Sequence, residues 1–337
     1  MNKSIPLWVH LALLAVAVLF PFVLGSAFWV NFGVLALFYA FIGQSWNIAG
    51  GFAGQLSFGH VAFMGVGAYA STIMQMRFGW SPWLGLPVAA LAGAAAGWLV
   101  AALSFRAGLK GSYFALITLA FAEVFRIVAN SIELTGGGLG MLIPMKQTAA
   151  NFQFGDRRVF YFIMLALTAL SVAIAIWLKA SRFGARLAAI RENEDSAMAL
   201  GINVYSEKVK VLMLSGAIAG VGGCFFAQYF LYIDPTIAFG TDKSVEMLLV
   251  SMIGGAGTVY GPLIGAVLLA LVSEVTRSMF TIQGLSLVIY GTLLVIIIAF
   301  LPNGLVDLFK RRDKRQLGRL SSGASGTSAA SGKTGDA

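Results

Sequence analysis

Long, unbroken apolar runs constrain this sequence more than any other feature. Residues 285–301, for example, read LSLVIYGTLLVIIIAFL and carry no charge. A water-soluble fold of 337 residues could not bury a chain that is 58% hydrophobic and only 11% charged. Apolar runs of this kind are typical of helices that cross a bilayer, whereas the strands of a membrane barrel alternate apolar and polar residues. The sequence therefore predicts an all-α polytopic membrane protein.

Ten apolar segments mark the predicted helices. We expect about ten of them (8–10) to cross the bilayer, some of them short or broken by glycine clusters. The segment 244–256 is too short to span at 1.5 Å per residue, so it is predicted to be a half-helix or a re-entrant piece. The first segment could mimic a cleaved secretory signal, but further spans follow it at once and favour an uncleaved helix. The segments lie near 6–25, 29–49, 59–77, 83–104, 112–130, 158–180, 208–232, 244–256, 259–277 and 285–301.

The basic residues predict the orientation of the chain. With ten crossings, most of the 23 Lys and Arg residues fall in loops on the side that also holds both termini. Such an excess marks the cytoplasmic side of a membrane protein, so the net charge of +9 does not indicate a nucleic-acid partner. We divide the chain into a transmembrane domain, 1–306, with a cytoplasmic loop at 183–207, and a basic, then low-complexity tail, 307–337, predicted to be largely disordered.

Metal and catalytic chemistry have little support in the sequence. Its one cysteine, Cys224, lies in an apolar segment, and its two histidines, His10 and His60, lie far apart. No metal and no cofactor are expected. A membrane-embedded enzyme would also need a cluster of catalytic residues, and two isolated histidines do not supply one.

Two glycine clusters stand at the entries to apolar helices. The first is at 50–60 and the second at 254–265, and their similar glycine spacing suggests a weak internal repeat. Glycine breaks helices and lets backbones approach closely, and irregular backbone at membrane depth is buried in protein or lines a cavity. Two interpretations stay open: a translocation pathway, or close helix packing with surface turns. The pathway candidates are Gly54, Gln55, Ser57, His60, Gly255 and Gly257.

Charged residues within the span 112–130 add a further candidate. Glu123 and Arg126 are three residues apart and share one helix face. Charges in a membrane helix pair or face a cavity, so either the two form an intrahelical pair or Glu123 belongs to the pathway. On the predicted outer side, TGGGLGM at 135–141 suggests a flexible loop that gates or contacts an external partner through Gly136, Gly137 and Gly138.

The loop 183–207 mixes charge with apolar residues at helical spacing. Gly201 stands where such a helix would end. An amphipathic helix of this kind lies on a membrane or inserts into a groove of a soluble partner, and composition alone favours neither.

Several stretches together resemble the LivM-type inner-membrane permease of ABC importers for branched-chain amino acids. They are GFAGQLSFGHVAFMGVGAYA from Gly51, LKGSYFALITLAFAEVFR from Leu109, TGGGLGM from Thr135, the loop from Phe183 to Gly223, and IGGAGTVYGPLIGA from Ile253. The resemblance covers 31–306. It implies that the loop is similar to the EAA-type coupling segment, which sits in a cleft of the ATP-binding subunit. The coupling residues would then be Arg191, Glu192, Asn193, Glu194, Ala197, Leu200 and Gly201.

The resemblance also implies partners and a mechanism. It implies a sister permease subunit, two cytoplasmic ATP-binding subunits and a periplasmic substrate-binding protein, all working by alternating access at a bacterial inner membrane. ATP hydrolysis would belong to the partners, so the chain itself would not be an enzyme. The substrates would be leucine, isoleucine and valine, or the other amino acids, amides, urea or small organic acids that relatives carry. An ion-coupled secondary transporter, with Glu123 as its titrating group, and a non-transporting scaffold remain as alternatives.

Overall fold

The computed structural model describes residues 7–279, 288–289, 291–292 and 305. Within these residues the chain is almost entirely helical, and strands β1 (Met141–Leu142) and β2 (Tyr232–Ile233) pair antiparallel, with Met141 opposite Ile233. A π-helical turn, Asn47–Phe52, extends α2, and short 3₁₀ turns occupy Glu133–Thr135, Gly137–Leu139 and Ala149–Asn151. The helices are α1 (Leu7–Val23), α2 (Ala27–Trp46), α3 (Val61–Phe78), α4 (Pro82–Arg106), α5 (Gly111–Ser131), α6 (Arg157–Ala180), α7 (Arg182–Glu192), α8 (Glu194–Ala199), α9 (Val204–Phe230), α10 (Pro235–Phe239), α11 (Thr241–Gly254) and α12 (Gly261–Met279).

Five helices in the described part of the chain are long and apolar enough to cross a bilayer. They are α2 with its π-helical turn, α4, α5, α6 and α9, and they leave large apolar side chains such as Leu91 and Leu116 exposed on their outer faces. An outer surface of this kind suits lipid rather than water. The all-α polytopic class is thus confirmed, while the count of about ten spans stays a prediction. The predicted helix at 285–301 lies outside the described residues except at 288–289 and 291–292, and the predicted tail lies wholly outside them.

The polar loop folds as two short helices where the sequence pattern predicts one. Asn193 has extended backbone between α7 and α8, and its side-chain Oδ1 accepts a hydrogen bond from the Ser196 N–H at 2.8 Å. Asparagine at this position satisfies an otherwise free backbone donor and so starts a new helix. Gly201, with φ of +80°, follows the C-cap residue Leu200 of α8, and the predicted end of the helix at this glycine is confirmed.

Glycines bring α3, α4 and α9 into direct backbone contact. A Cβ atom placed on Gly93 of α4 would lie 2.2 Å from the Gly216 carbonyl oxygen of α9, and one on Gly216 would lie 2.4 Å from the Gly93 oxygen. Gly67 of α3 meets Gly220 of α9 in the same way, at 2.3 Å. Lipid supplies no hydrophobic force between helices, so such close van der Waals packing holds membrane bundles together. These three helices therefore form one tightly packed unit.

A second unit is formed by α2, α11 and α12. The Ser251 hydroxyl of α11 donates to the Gly43 carbonyl of α2 at 2.7 Å, and a Cβ atom on Gly265 of α12 would lie 1.9 Å from the Val250 oxygen. At 14 residues, α11 is the short helix that the sequence predicts, and a tight turn at 255–260 joins it to α12. This turn lies at the end of the bundle that also carries α7 and α8, which we call the loop end. The β1–β2 pair marks the opposite, far end.

Candidate functional site

The two glycine clusters, far apart in sequence, contact each other at the loop end. The Asn47 side chain joins them, since its Nδ2 donates to the Thr258 carbonyl at 2.9 Å and its Oδ1 accepts from the Gly257 N–H at 2.8 Å. A Cβ atom on Gly51 would lie 2.4 Å from the Gly257 nitrogen. We call Asn47, Gly51, Gly54, Gly257 and Thr258 the glycine junction.

Arg191 of α7 reaches into this junction. Its Nη1 donates to the Gly51 carbonyl at 2.5 Å. Gly54 and Gly257 flank the same side chain, and both have positive φ, +70° and +78°. A Cβ atom at 54 would lie 3.1 Å from the Arg191 Cγ, and one at 257 would lie 2.4 Å from its Nη1. Glycine is thus required at both positions by backbone conformation and at Gly257 by space as well. The guanidinium points at the chain's own glycine turns.

Glu194 fastens α8 to the rest of the bundle. Its carboxylate pairs with Lys208 of α9 and lies 3.3 Å from the Nζ atom of Lys110, which precedes α5. Lys208 is only 3% exposed and stands 5.0 Å from the ring centroid of Phe105. The hydrogen bond that Glu194 accepts holds the pKa of Lys110 above its usual value. We call Lys110, Glu194 and Lys208 the ionic clamp.

The remaining residues of the loop divide into buried and exposed sets. Ala197 is buried, and Asn193 caps α8. Glu192 is exposed, and the apolar side chains of Met198 and Leu200 are 50% and 79% exposed. We call Glu192, Met198 and Leu200 the loop tip. Exposed apolar side chains rimmed by polar residues are typical of a surface that binds another protein.

His60 lies fully buried where α2, α3 and α9 meet. The Ser45 hydroxyl donates to the Ser215 carbonyl at 2.8 Å, and the Ser215 hydroxyl donates to the Ser45 carbonyl at 2.6 Å. The His60 Nε2 lies 3.1 and 2.9 Å from the Ser45 and Ser215 hydroxyl oxygens, within hydrogen-bond distance of both. These hydrogen bonds join α2 to α9.

In the extended segment between the π-helical turn and α3, Gln55 and Ser57 are buried, whereas Leu56 and Phe58 are exposed. The Gln55 Nε2 donates to the Ala53 carbonyl, and the Ser57 carbonyl accepts from the Trp46 Nε1 at 2.8 Å. Thr118 of α5 accepts hydrogen bonds from two backbone N–H groups of the same segment. One face of the segment therefore packs against the protein, and the other face is exposed in this chain. Gly255, the remaining glycine candidate, has φ of +118° and ends α11.

Glu123 and Arg126 form the intrahelical pair that was the first of the two interpretations. The Arg126 Nε donates to the Glu123 Oε2 at 2.9 Å and its Nη2 to the Oε1 at 2.5 Å. The two side chains are 46% and 36% exposed, on the outward face of α5. The structure therefore does not bring Glu123 to the glycine junction.

The TGGGLGM segment is folded onto the far end. Gly136 lies between two 3₁₀ turns, Gly137 begins the second of them, and Met141 and Leu142 pair with β2. A Cβ atom on Gly140 would lie 2.4 Å from the Ile233 carbonyl oxygen. Gly138 and Leu139 remain exposed at the tip of the segment. The segment thus presents its tip outward, and its role in gating or in contacting an external partner stays a prediction.

The sequence analysis missed Asn47, Lys110 and Lys208. The one signal for Asn47 is its place, a lone amide in an apolar run directly before the first glycine cluster. Lys110 and Lys208 could have been found from their positions, since each flanks an apolar helix near the polar loop. Among the residues described, no group of three His, Cys, Asp or Glu residues could hold a metal ion.

The described chain is an apolar helical bundle, and its charged helical loop is attached to the glycine turns through Arg191. These features define a multi-pass α-helical membrane protein. Residues 28–298 match the family described as the permease component of the branched-chain amino acid transport system, and the chain belongs to that family.

Curated relatives agree with this assignment. The chain is 29% identical to the high-affinity branched-chain amino acid transport system permease proteins LivM of Salmonella typhimurium and Escherichia coli. These matches cover 92% and 91% of this chain and 77% and 76% of the relatives. It is 24% identical to the LivH permease protein of Salmonella typhimurium, over 80% of this chain and 91% of the relative. No solved structure is significantly similar to the chain.

Proposed function

We propose that the chain is the transmembrane permease subunit of an ATP-driven importer of branched-chain amino acids. One observation carries the proposal beyond the family match. The loop between α6 and α9 is attached through Arg191 to the glycine junction, and it exposes apolar side chains at its tip. A rigid loop of this kind is suited to receive a push from a soluble partner and pass it to buried helices.

The partners follow from the family and from the relatives' names. The chain is similar to both a LivM and a LivH protein, so we infer that it pairs with a sister permease subunit. Two cytoplasmic ATP-binding subunits would hold the loop tip and hydrolyse ATP, and a periplasmic binding protein would deliver the amino acid at the far end. This arrangement places the chain in a bacterial inner membrane with both termini in the cytoplasm, in accord with the basic loops.

The contacts suggest how movement would spread through the chain. The ionic clamp makes α8 move with α5 and α9, because breaking a largely buried ion pair by moving one partner away is costly. Arg191 makes α7 move with the first glycine cluster, and Asn47 carries that movement to the turn between α11 and α12. A push on the loop tip would therefore change the relation between the two helix units, as alternating access requires.

The proposal is tested by purifying the chain with its partners and measuring ATP-dependent uptake in proteoliposomes. We expect leucine uptake to need ATP and the binding protein, and to be inhibited by isoleucine and valine but not by urea, amides or small organic acids. Uptake that proceeds without ATP and collapses with a proton uncoupler would contradict the proposal and support an ion-coupled carrier.

The loop tip offers a matched pair of variants for the same preparation. Leu200→Asp alters an exposed side chain and should release the ATP-binding subunit while the permease stays folded. Tyr205→Asp, on an exposed side chain at the start of α9 and outside the tip, is the control and should retain the subunit. Equal retention of the subunit by both variants would show that the tip is not its binding surface.

A further inference from the structure

Two adjoining cavities lie toward the far end, away from the loop. The inner cavity, of about 430 Å³, is lined by residues of α2, α9, β2, α10 and the start of α11. The outer cavity, of about 570 Å³, lies beside residues 145–157. Both are within the size range of small-molecule pockets, about 300–1,000 Å³. Asn31, Tyr229 and Phe230 line both, so the two cavities meet at these side chains.

The inner cavity combines an apolar wall with a charged group. Phe38, Phe226 and Phe230 form much of the wall. Lys243, at the start of α11, supplies the charge and pairs with the carboxylate of Glu246 at 2.8 Å. Both of these side chains are largely buried. Ionisable groups kept inside a membrane protein are costly, and they mark ligand or ion paths far more often than chance.

The cavity residues suit an apolar amino acid. An ammonium group has three donors, and Glu246 accepts from one of them, so Lys243 keeps donor capacity toward the cavity that it lines. A carboxylate would gain a charge-assisted hydrogen bond there, and an aliphatic side chain would pack against the phenylalanine rings.

The outer cavity supplies an approach from the far end. Arg157 and Gln228 line it, and the Gln228 Oε1 is buried without a hydrogen-bond partner in the described part of the chain. Tyr229 donates to the Asn31 Oδ1 at the boundary of the two cavities. Opening this one hydrogen bond would join the polar approach to the apolar inner cavity.

We propose that the inner cavity binds an α-amino acid with a branched apolar side chain, with Lys243 contacting the carboxylate and the phenylalanine wall contacting the side chain. The inference rests on the proposed function, because the far end is the side at which the binding protein would deliver its cargo. It adds a substrate-binding site within this single chain.

The test uses the assembled transporter in proteoliposomes and a photoreactive diazirine analogue of leucine as the probe. Illumination followed by peptide mapping should place label on α2 near 31–39 or on 226–237. Excess leucine should compete with this labelling. Lys243→Met should reduce it at least about tenfold, as expected when a hydrogen bond to a charged group is lost. Arg77→Met, which removes an exposed cation at the same end but lines neither cavity, should label as the unchanged protein does.

A second variant guards against loss of folding. Leu35→Trp fills the inner cavity while keeping the Lys243–Glu246 pair, and it too should abolish labelling in a transporter that still assembles. Label elsewhere, or equal label in the Lys243→Met and Arg77→Met proteins, would overturn the inference. ATP-driven leucine uptake by the unchanged protein is measured in the same vesicles. Uptake without label in the cavity would remove this site and leave the proposed function, whereas label without uptake would keep the site and contradict the proposed function.

Discussion

Replacing Gly257 with alanine should uncouple transport from ATP hydrolysis. The new Cβ atom would lie 2.4 Å from the Arg191 Nη1 and 2.9 Å from the Gly51 carbonyl oxygen, so the guanidinium would have to leave that oxygen. Alanine at φ of +78° costs about 1–2 kcal/mol, and a lost hydrogen bond to a charged group costs about 1.5–3 kcal/mol more. We expect leucine uptake in proteoliposomes to fall at least about tenfold, while ATP hydrolysis continues.

Gly79→Ala separates backbone strain from the Arg191 contact. Gly79 has φ of +67°, and no atom lies within 4 Å of the position of a Cβ atom there. This control should therefore carry the strain alone and transport normally. The two variants therefore differ by the cost of the lost Arg191 hydrogen bond, about 1.5–3 kcal/mol. A difference of this size shifts a two-state equilibrium about 10- to 100-fold. Equal uptake per ATP by the two variants would refute the role of the glycine junction. The same role would be refuted if Gly257→Ala lowered uptake by the same factor in an Arg191→Ala protein, because two residues that act through one contact do not have additive effects.

Three further predictions concern the glycine junction, the loop and the ionic clamp. Asn47→Ala leaves two backbone groups without their partner and should lower the free energy of unfolding by about 2–4 kcal/mol. The loss should appear as a lower melting temperature in detergent. An unchanged melting temperature would contradict the role of Asn47 in joining the two glycine clusters. Leu187→Ala, at a fully buried position of α7, should destabilise by about 2–5 kcal/mol, whereas Leu200→Ala should leave the melting temperature unchanged; similar shifts would refute the distinction. Glu194→Ala leaves Lys208 buried without its carboxylate and should cost about 3–5 kcal/mol, measured by the same melting assay; a loss below 1 kcal/mol would reduce the clamp to a surface pair.

The helices of the bundle could be predicted because an apolar run of bilayer length has few other ways to satisfy its backbone. Hydropathy therefore placed α4, α5 and α6 within a few residues of their observed ends. It also singled out α11 as too short to span. The split between α7 and α8 was not predicted, because the apolar spacing continues across Asn193 and only the capping bond interrupts the helix.

The glycine junction was predictable in composition but not in arrangement. Both clusters were found as sites where backbone turns or packs, yet the bond between Gly257 and Asn47 joins residues 210 positions apart. No local pattern encodes such a contact. Arg191 illustrates the same limit. Its place in the coupling loop follows from the resemblance, but the direction of its side chain depends on a turn contributed by another part of the chain. The assignment of His60 and Glu123 to a pathway stays a prediction, and in the structure both side chains contact protein partners.

The seam between α4 and α9 has a consequence for how mutations at it could be repaired. At most interfaces an oversized residue can be accommodated by trimming the residue that faces it. Gly93 and Gly216 face each other as bare backbone, so neither has a side chain left to remove. A second-site suppressor of a substitution at either glycine therefore cannot come from the opposite position. Such a suppressor would have to move a whole helix. In a mutational scan we therefore expect the facing glycines of α4 and α9 to tolerate no replacement.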